Sequence, residues 1–470
     1  MLCGTSNAGD RENRRAAMVH EKANKFFSRI PLHVHTCMDL LAQNGYEAYV
    51  VGGAVRDLLL DSTPADFDLT TDATPDEMLK VFTGYKTIPT GIAHGTVTVI
   101  VGGDPVEITT YRVDGSYTDS RRPDEVLFSK SLREDVKRRD FTINALAMDA
   151  DGDVADYVGG QEDLKNRVIR CVGDPDLRMR EDALRILRAL RFSAVLGFPI
   201  EKETRRSLFR HKALLAKVSA ERIWAELSGL ICGEYAGQVL LYYVSILGVV
   251  MPEILPMRGF EQHNPHHCYD VLEHTARVVK NSPPQKGIRL AALFHDSGKP
   301  AAFTIDENGV GHFYGHQKIS SEIAHDVLAR LKADNRTKQQ VETLVLWHDI
   351  DLEPNEKIIR RRLNQFGEPM LRDLLALKRA DTLAQSKLSQ YRLEEQANVH
   401  ALLDKILEEN ACFSMKDLKV SGSDLLQLGA VSGRKIGEVL QAALHAVIEG
   451  EIPNDKDVLL DFVRSRYFTE

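Results

Sequence analysis

The 470-residue chain lacks several things whose absence narrows what it can be. No apolar run approaches the ~20 residues that a membrane-spanning helix requires. The first 25 residues, "MLCGTSNAGDRENRRAAMVHEKANK", hold no apolar segment and do not read as a secretory signal. A cytoplasmic protein without a membrane partner is the expectation. Cysteine is sparse and scattered: Cys3, Cys37, Cys171, Cys232, Cys268 and Cys412 form no CxxC and no paired spacing. This argues against a disulfide framework and a zinc knuckle, and leaves reduced, mostly buried thiols. An overall excess of positive charge is missing too, since the net charge is −8. The whole surface is therefore not a polyanion grip. No internal repeat or low-complexity tract appears.

What is present has a clear order. The length predicts roughly three or four domains at the usual ~100 to 200 residues each. A short N-terminal extension and helix (1–44) precede an α/β head (45–160). Within it "YEAYVVGGAVRDLLLD" reads as strand, Gly-Gly turn and helix, and "GTVTVIVGG" and "VEITTYRV" are rich in β-branched residues. Helical spacing then dominates: a neck (161–250), a histidine-bearing region (251–400) and a tail (401–470). The fold class is α+β, a head with a mixed sheet followed by all-helical parts. Residues 161–220 carry fourteen Lys/Arg against eight Asp/Glu, so a local polyanion site survives the negative total.

The head holds the first chemical signal. In "ADFDLTTD" side chains two apart on a strand share a face, so Asp66 and Asp68 project together while Phe67 turns to the core. Two hard oxygen ligands suit Mg²⁺, which completes its shell with water and phosphate oxygens. A third acid for a two-ion site is Glu107, at the start of the strand-like "VEITTYR". Such a trio fits phosphoryl transfer. Gly52 and Gly53 would let backbone N–H groups approach a triphosphate, with Arg56 one turn on.

The ordered stretches "VGGAVRD", "ADFDLTTDATP", "GIAHGTVTV", "RRDFTINALA", "VGDPDLRMREDALRILRALRF" and "SAERI" resemble the class II tRNA nucleotidyltransferases of the polymerase beta superfamily, the CCA-adding enzymes and their poly(A) polymerase kin. The resemblance is strong over 45–235 and looser beyond. It implies transfer of CMP and AMP from CTP and ATP to the tRNA 3′ end, without a nucleic-acid template and with Mg²⁺. It also implies that Arg139, Arg188 and Arg191 hold the triphosphate, and that the aspartate and arginine of EDxxR, here Asp182 and Arg185, choose the base.

Base chemistry supports that choice. Cytosine and adenine each offer an amino donor beside a ring-nitrogen acceptor, whereas uracil and guanine offer a carbonyl beside an N–H. A carboxylate that only accepts and a guanidinium that only donates match the first pair. Asp182 and Arg185 lie three apart in "REDALRILRALR", on one face of a helix whose row Arg188 and Arg191 continue. Asp114, Gly115, Arg121 and Arg122 fall in a stretch that the resemblance marks as a mobile element in switching from C to A.

A second constellation follows. "CYDVLEHTARVV", "LAALFHDSGKP", "FYGHQKISSEIAHDV", "LVLWHDI" and "LKRADTLAQS" present His274, His295, Asp296, His316, His348 and Asp381, suited to one or two transition metals such as Mn²⁺ or Ni²⁺. These stretches resemble the HD phosphohydrolases, and Lys299 sits where a phosphate contact is expected. His263, His266, His267, His325 and Asp349 receive no role. In the tail Gly429, Gly433 and Gly437, with Arg434 and Lys435, fit either backbone contact with a phosphate or simple helix packing. The tRNA acceptor end should lie along the basic 161–220 segment, recognised by shape.

The rivals are an A-adding, CC-adding or poly(A) variant of the same chemistry, an HD phosphohydrolase whose head only binds RNA or nucleotide, and a noncatalytic RNA-binding protein. Intact acids in both clusters weigh against the last two.

Overall fold

In a computed structural model, residues 26–89, 91–114, 126–409, 411–429 and 433–467 are described. The chain forms two compact units, Met1–Ile223 and Trp224–Glu470, a coarser division than the five segments read from the sequence.

In the first unit Pro31 precedes helix α1 (Leu32–Gln43), which buries Val34, Cys37, Met38 and Leu41 at helical spacing. Strand β1 (Ala48–Val51) runs into α2 (Gly53–Leu59) through Gly52. β2 (Asp68–Thr71) is followed by α3 (Pro75–Val81), whose start is fixed by a Thr74–Glu77 capping box. β3 (Lys86–Ile88), β4 (Thr96–Val101) and β5 (Asp104–Thr110) come next. Gly102 and Gly103, with φ of 65° and 102°, make the tight β4–β5 turn.

The main sheet has the order β3-β4-β5-β2-β1-β8-β9, where β8 is Leu146–Met148 and β9 Val154–Asp156. The β2–β5 pair is parallel and its neighbours are antiparallel, so the sheet is mixed. Val50, Leu69, Val97, Val99, Ile108 and Leu146 are buried within it. A separate two-stranded ribbon pairs β6 (Arg112–Asp114) with β7 (Val126–Phe128). Of the mobile-element candidates only Asp114 lies on described backbone; Gly115, Arg121 and Arg122 lie outside the described residues.

Helices α4 (Leu132–Lys137), α5 (Gly160–Lys165), α6 (Pro175–Glu181), α7 (Leu184–Leu196) and α8 (Lys202–His211) complete this unit, and α9 (Ala220–Ile231) begins in it.

The second unit is helical apart from a two-residue hairpin at Thr304–Ile305 and Gly311–His312. Its helices include α10 (Ala236–Leu247), α11 (Val271–Asn281), α12 (Lys286–Phe294), α13 (Lys299–Ala302), α14 (His316–Arg330), α15 (Asn335–Trp347), α16 (Glu356–Phe366) and α17 (Glu368–Ala384). The C-terminal helices Gly422–Gln427, Gly433–Ile448 and Lys456–Tyr467 close over their own core of Leu425, Val439, Leu444, Leu459 and Val463. Gly429 has a positive φ of 97°, a turn requirement. Among the described residues no helix is long and apolar enough to cross a membrane, and Cys37, Cys171, Cys232, Cys268 and Cys412 are all free thiols.

Candidate active site and metal centre

The head carries an open cleft of about 600 Å³. Gly52, Gly53, Arg56, Asp66, Asp68, Arg139, Asp182, Arg185, Arg188 and Arg191 all line it. Residues far apart in sequence are thus brought to one place by the sheet and the α6–α7 pair.

Asp68 is the first residue of β2 and stands exposed, while Asp66 precedes the strand. This corrects the strand-face argument: the two acids are neighbours at a strand entrance rather than on one pleat. Phe67 is half-buried rather than a core residue. Glu107 sits in the middle of β5 rather than at its start, opposite Thr98. The parallel register Leu69↔Ile108 puts Glu107 beside Asp68.

Protein packed around the cleft desolvates the Asp68 carboxyl although its side chain keeps access to solvent, and with the Asp66 and Glu107 carboxylates this pushes it up to about 6, while Arg139 opposes them. The Asp66 and Glu107 carboxylates make ionisation of Asp68 costly, and carboxylate donors of this kind suit a hard divalent ion, although Glu107 does not line the cleft and the three carboxylates do not converge within 4.8 Å of one another. The folded state therefore binds the Asp68 proton more tightly than the unfolded chain does. Stability present at low pH is lost as pH rises through about 6. In chelator at about pH 7.5, Asp68→Asn should melt at a higher temperature than the parent, and below about pH 4 the two should converge. Equal melting temperatures across the range would contradict this electrostatic picture.

Gly52 joins β1 to α2 with φ 73° and ψ −130°, a conformation that side chains other than hydrogen avoid. A Cβ there would lie 3.7 Å from Arg139 Nη1. Arg56 donates through Nη1 to Asn144 Oδ1 and through Nε to Asp57 Oδ1, both at 2.8 Å. Arg139 is paired with buried Asp135 at 3.1 Å, and Arg188 with Asp140 at 2.7 Å. Asn144 and Asp140 both lie in "RRDFTINALA", where sequence reasoning assigned only Arg139.

The base-reading pair differs from expectation. "REDALRILRALR" is not one helix: α6 ends at Glu181, Asp182 is extended (φ −144°, ψ 104°), and α7 starts at Leu184. Asp182 Oδ1 accepts from the Leu184 N–H at 3.1 Å, and Oδ2 accepts from Arg222 at 2.6 Å. Arg185, almost fully buried, donates to Glu181 at 2.6 Å and to the carbonyls of Arg178 and Arg138. Both residues line the cleft, and the Arg185 backbone N–H donates to the Asp182 carbonyl at 3.1 Å, while the side chains of Asp182 and Arg185 bond to Arg222 and Glu181 respectively. The signal that could have found Arg222 is its motif, "SAERI", an arginine at the start of α9.

The second unit gathers all six expected ligands. His274 comes from α11, and His295 and Asp296 directly follow α12. His316 opens α14, His348 follows α15, and Asp381 lies on α17. His274, His295 and Asp296 form one close triad; Asp296, His316 and His348 form another, all buried. Asp296 belongs to both. His274 Nε2 is 2.9 Å from Asp381 Oδ1.

Nδ1 of His295, His316 and His348 each contacts a backbone carbonyl, of Ala292, Phe313 and Val345, at 2.7 to 2.8 Å. A carbonyl only accepts, so Nδ1 carries the proton and Nε2 is left facing inward, the tautomer of a metal ligand. Nε2 of His295 lies 3.3 Å from that of His274, and the His316–His348 pair repeats this spacing. Burial pushes the His348 imidazole down to about 4, which keeps it neutral. The donor set of imidazoles and carboxylates fits transition metals.

Gly298 lets the two halves of this cluster meet. A Cβ there would come within 2.7 Å of the His316 carbonyl and 2.8 Å of the Ser320 nitrogen. A pocket of about 290 Å³ opens beside the metal-ligand candidates, lined also by Lys299, His267, Asn264, Tyr314 and Gln385. Lys299 Nζ is 2.7 Å from Asp296 and 2.8 Å from Gln262. His267, given no role from the sequence, borders this pocket, and its buried Nδ1 has no hydrogen-bond partner.

Comparisons with known proteins follow the same layout. The Poly A polymerase head domain model matches residues 48–170, a probable RNA and SrmB-binding site of polymerase A matches 197–257, and tRNA nucleotidyltransferase domain 2 matches 307–463. A CCA-adding enzyme of a Geobacillus species is 36% identical over 427 residues, covering 91% of this chain and 95% of the relative. One from Levilactobacillus brevis is 34% identical over 432 residues, covering 90% and 95%. Among solved structures, the Bacillus stearothermophilus CCA-adding enzyme in complex with CTP has a TM-score of 0.66 at 28% identity, over 92% of this chain and 96% of that one. The Thermotoga maritima enzyme complexed with tRNA-CCA, at 19% identity and a TM-score of 0.56 over 94% and 97%, shares the fold.

Proposed function

The chain belongs to the CCA-adding enzymes, and from that premise we infer which of its residues perform each part of the reaction. CMP and AMP are added to the 3′ end of tRNA from CTP and ATP. The observation that supports the assignment of parts is the single cleft in which acids, arginines and the Asp182–Arg185 pair face one another.

Asp66 and Asp68 hold Mg²⁺, and Glu107 beside Asp68 completes the acidic trio. When bound, the ion lowers the pKa of the RNA 3′-hydroxyl and offsets charge on the departing pyrophosphate. Arg56, Arg139, Arg188 and Arg191 line the same cleft with fixed positive charge for the triphosphate. The backbone turn at Gly52–Gly53 leaves room for phosphate oxygens. Asp182 accepts from the exocyclic amino group of cytosine or adenine, since a carboxylate with two bonds made keeps further lone pairs. Arg185 donates to the ring nitrogen. The tRNA acceptor end approaches along the basic 161–220 segment.

In the second unit the two triads hold one or two transition-metal ions, with Mn²⁺ or Ni²⁺ as candidates. Inward Nε2 atoms and a buried, doubly shared Asp296 support this, and the adjoining pocket with Lys299 favours a phosphoester as its occupant. Protein purified without a histidine tag should contain about one or two transition-metal equivalents, or take them up from Mn²⁺ or Ni²⁺ with a rise in melting temperature. Elemental analysis checks this. Failure both to retain and to acquire metal would retire the centre. A cytoplasmic location is part of the same proposal, since the substrates are tRNA and nucleotides.

A further inference from the structure

We propose that Phe192 is a positioning residue of the nucleotide site, its ring holding the guanidiniums of Arg56, Arg188 and Arg191 where they meet a triphosphate. This rests on the reading of those arginines as phosphate ligands. Phe192 is the ninth residue of α7 and only 6% exposed, yet it borders the cleft. Its ring packs edge-on against Phe141, centroids 5.8 Å apart at 83°. Such a residue would pass for ordinary core.

Its other contacts say more. The guanidinium carbons of Arg56, Arg188 and Arg191 lie 5.4, 5.4 and 4.6 Å from its ring centroid. These fall within the ~6 Å range over which an aromatic quadrupole attracts a cation. Arg56 arrives from α2, and the other two from α7 itself, so one ring joins two elements of the cleft. Three guanidiniums around one ring also repel one another. Asp57 and Asp140 offset part of this for Arg56 and Arg188; the ring is shared by all three.

The physical effect is pre-organisation. Long, rotamer-rich side chains lose freedom when they bind an anion, and holding them beforehand lowers that cost. Asp182 and Arg185 are held by other partners, Arg222 and Glu181. Phe192 should therefore govern how tightly any nucleoside triphosphate binds, and not which base is chosen.

The test replaces Phe192 with mono-, di- and trifluorinated phenylalanine, which drain the ring's negative face with little change of shape, and with Phe192→Leu and Phe192→Tyr. KM for CTP and for ATP should climb in steps with fluorine number, to about tenfold for trifluorophenylalanine and for Leu. Tyr should restore the parent value, and kcat and the C/A preference should hold. A KM flat across the fluorinated series, with Phe192→Leu alone impaired, would reduce Phe192 to a packing residue and overturn the proposal. Changed base selection along the series would overturn it as well. Arg188→Ala, run in parallel, separates the two layers: if it leaves KM for both nucleotides unchanged, the phosphate-ligand reading falls and takes this proposal with it. If it raises KM while fluorination does nothing, only the role of Phe192 fails.

Discussion

Replacing Asp66 and Asp68 together by asparagine should lower CMP and AMP addition by about 10³-fold or more, with the fold intact. The magnitude follows from the loss of groups that stabilise developing charge at the reacting phosphorus, where one such group is commonly worth about 10² to 10³ in rate. The fold should survive because both side chains are exposed at the entrance to β2, while the strand is anchored by buried Leu69, Thr70 and Thr71. Asparagine keeps shape and removes charge, so the loss would report on the metal grip and not on packing. Single-turnover extension of a tRNA lacking its terminal residues, resolved by length, provides the readout. Addition at the parent rate would end the assignment of this cleft as the catalytic centre.

The second large effect is expected in fidelity. Asp182→Ala removes the one acceptor proposed for the exocyclic amino group, and should cut discrimination against UTP and GTP by about 10²-fold or more. Sites built on buried polar complementarity reach ~10⁴ to 10⁵, because the wrong partner leaves charged groups unpaired. Arg222 also loses its 2.6 Å partner, so some general loss of rate will accompany the loss of selection. The experiment uses tRNAs ending at the discriminator base, at C and at CC, with each triphosphate supplied singly. Parent protein should extend the first two with C and the third with A. If Asp182→Ala still rejects U and G as the parent does, base choice lies elsewhere.

Much of the head could be read from its residues because each signal was local. β-branched runs broken by Gly95, Gly102 and Gly103 delimit β4 and β5, and the Gly-Gly after a short apolar run marks β1 and α2. Most arginines and acids of the cleft were named, since their residue types carry their chemistry openly; Asp57, Arg138 and Asp140, which also line it, were not. What escaped was decided at long range. Ala183, Leu184 and their neighbours favour helix and continue the apolar period, yet Asp182 leaves the helix, its carboxylate held by an arginine 40 residues away. Periodicity within "REDALRILRALR" holds no trace of Arg222. Likewise the six ligands of the second unit were legible one by one, but their sharing of Asp296 arises from helix packing. Phe192 was hidden for the opposite reason: a phenylalanine at an apolar helical position is what a core requires, and its cationic neighbours come partly from α2.

Gly298 sets a limit on how this sequence can drift. It carries no charge and has no side chain, and its N–H donates to Ser320 Oγ at 2.9 Å; it would be passed over in any inventory of reactive groups, but a single methyl at that position would collide with main-chain atoms of His316 and Ser320. Relief would require α14 to retreat and would separate the two ligand triads without altering a ligand. Histidines and aspartates can in principle be exchanged for other donors; the gap left by a missing Cβ has no substitute, so the least reactive residue in the neighbourhood is the one with the fewest permitted replacements.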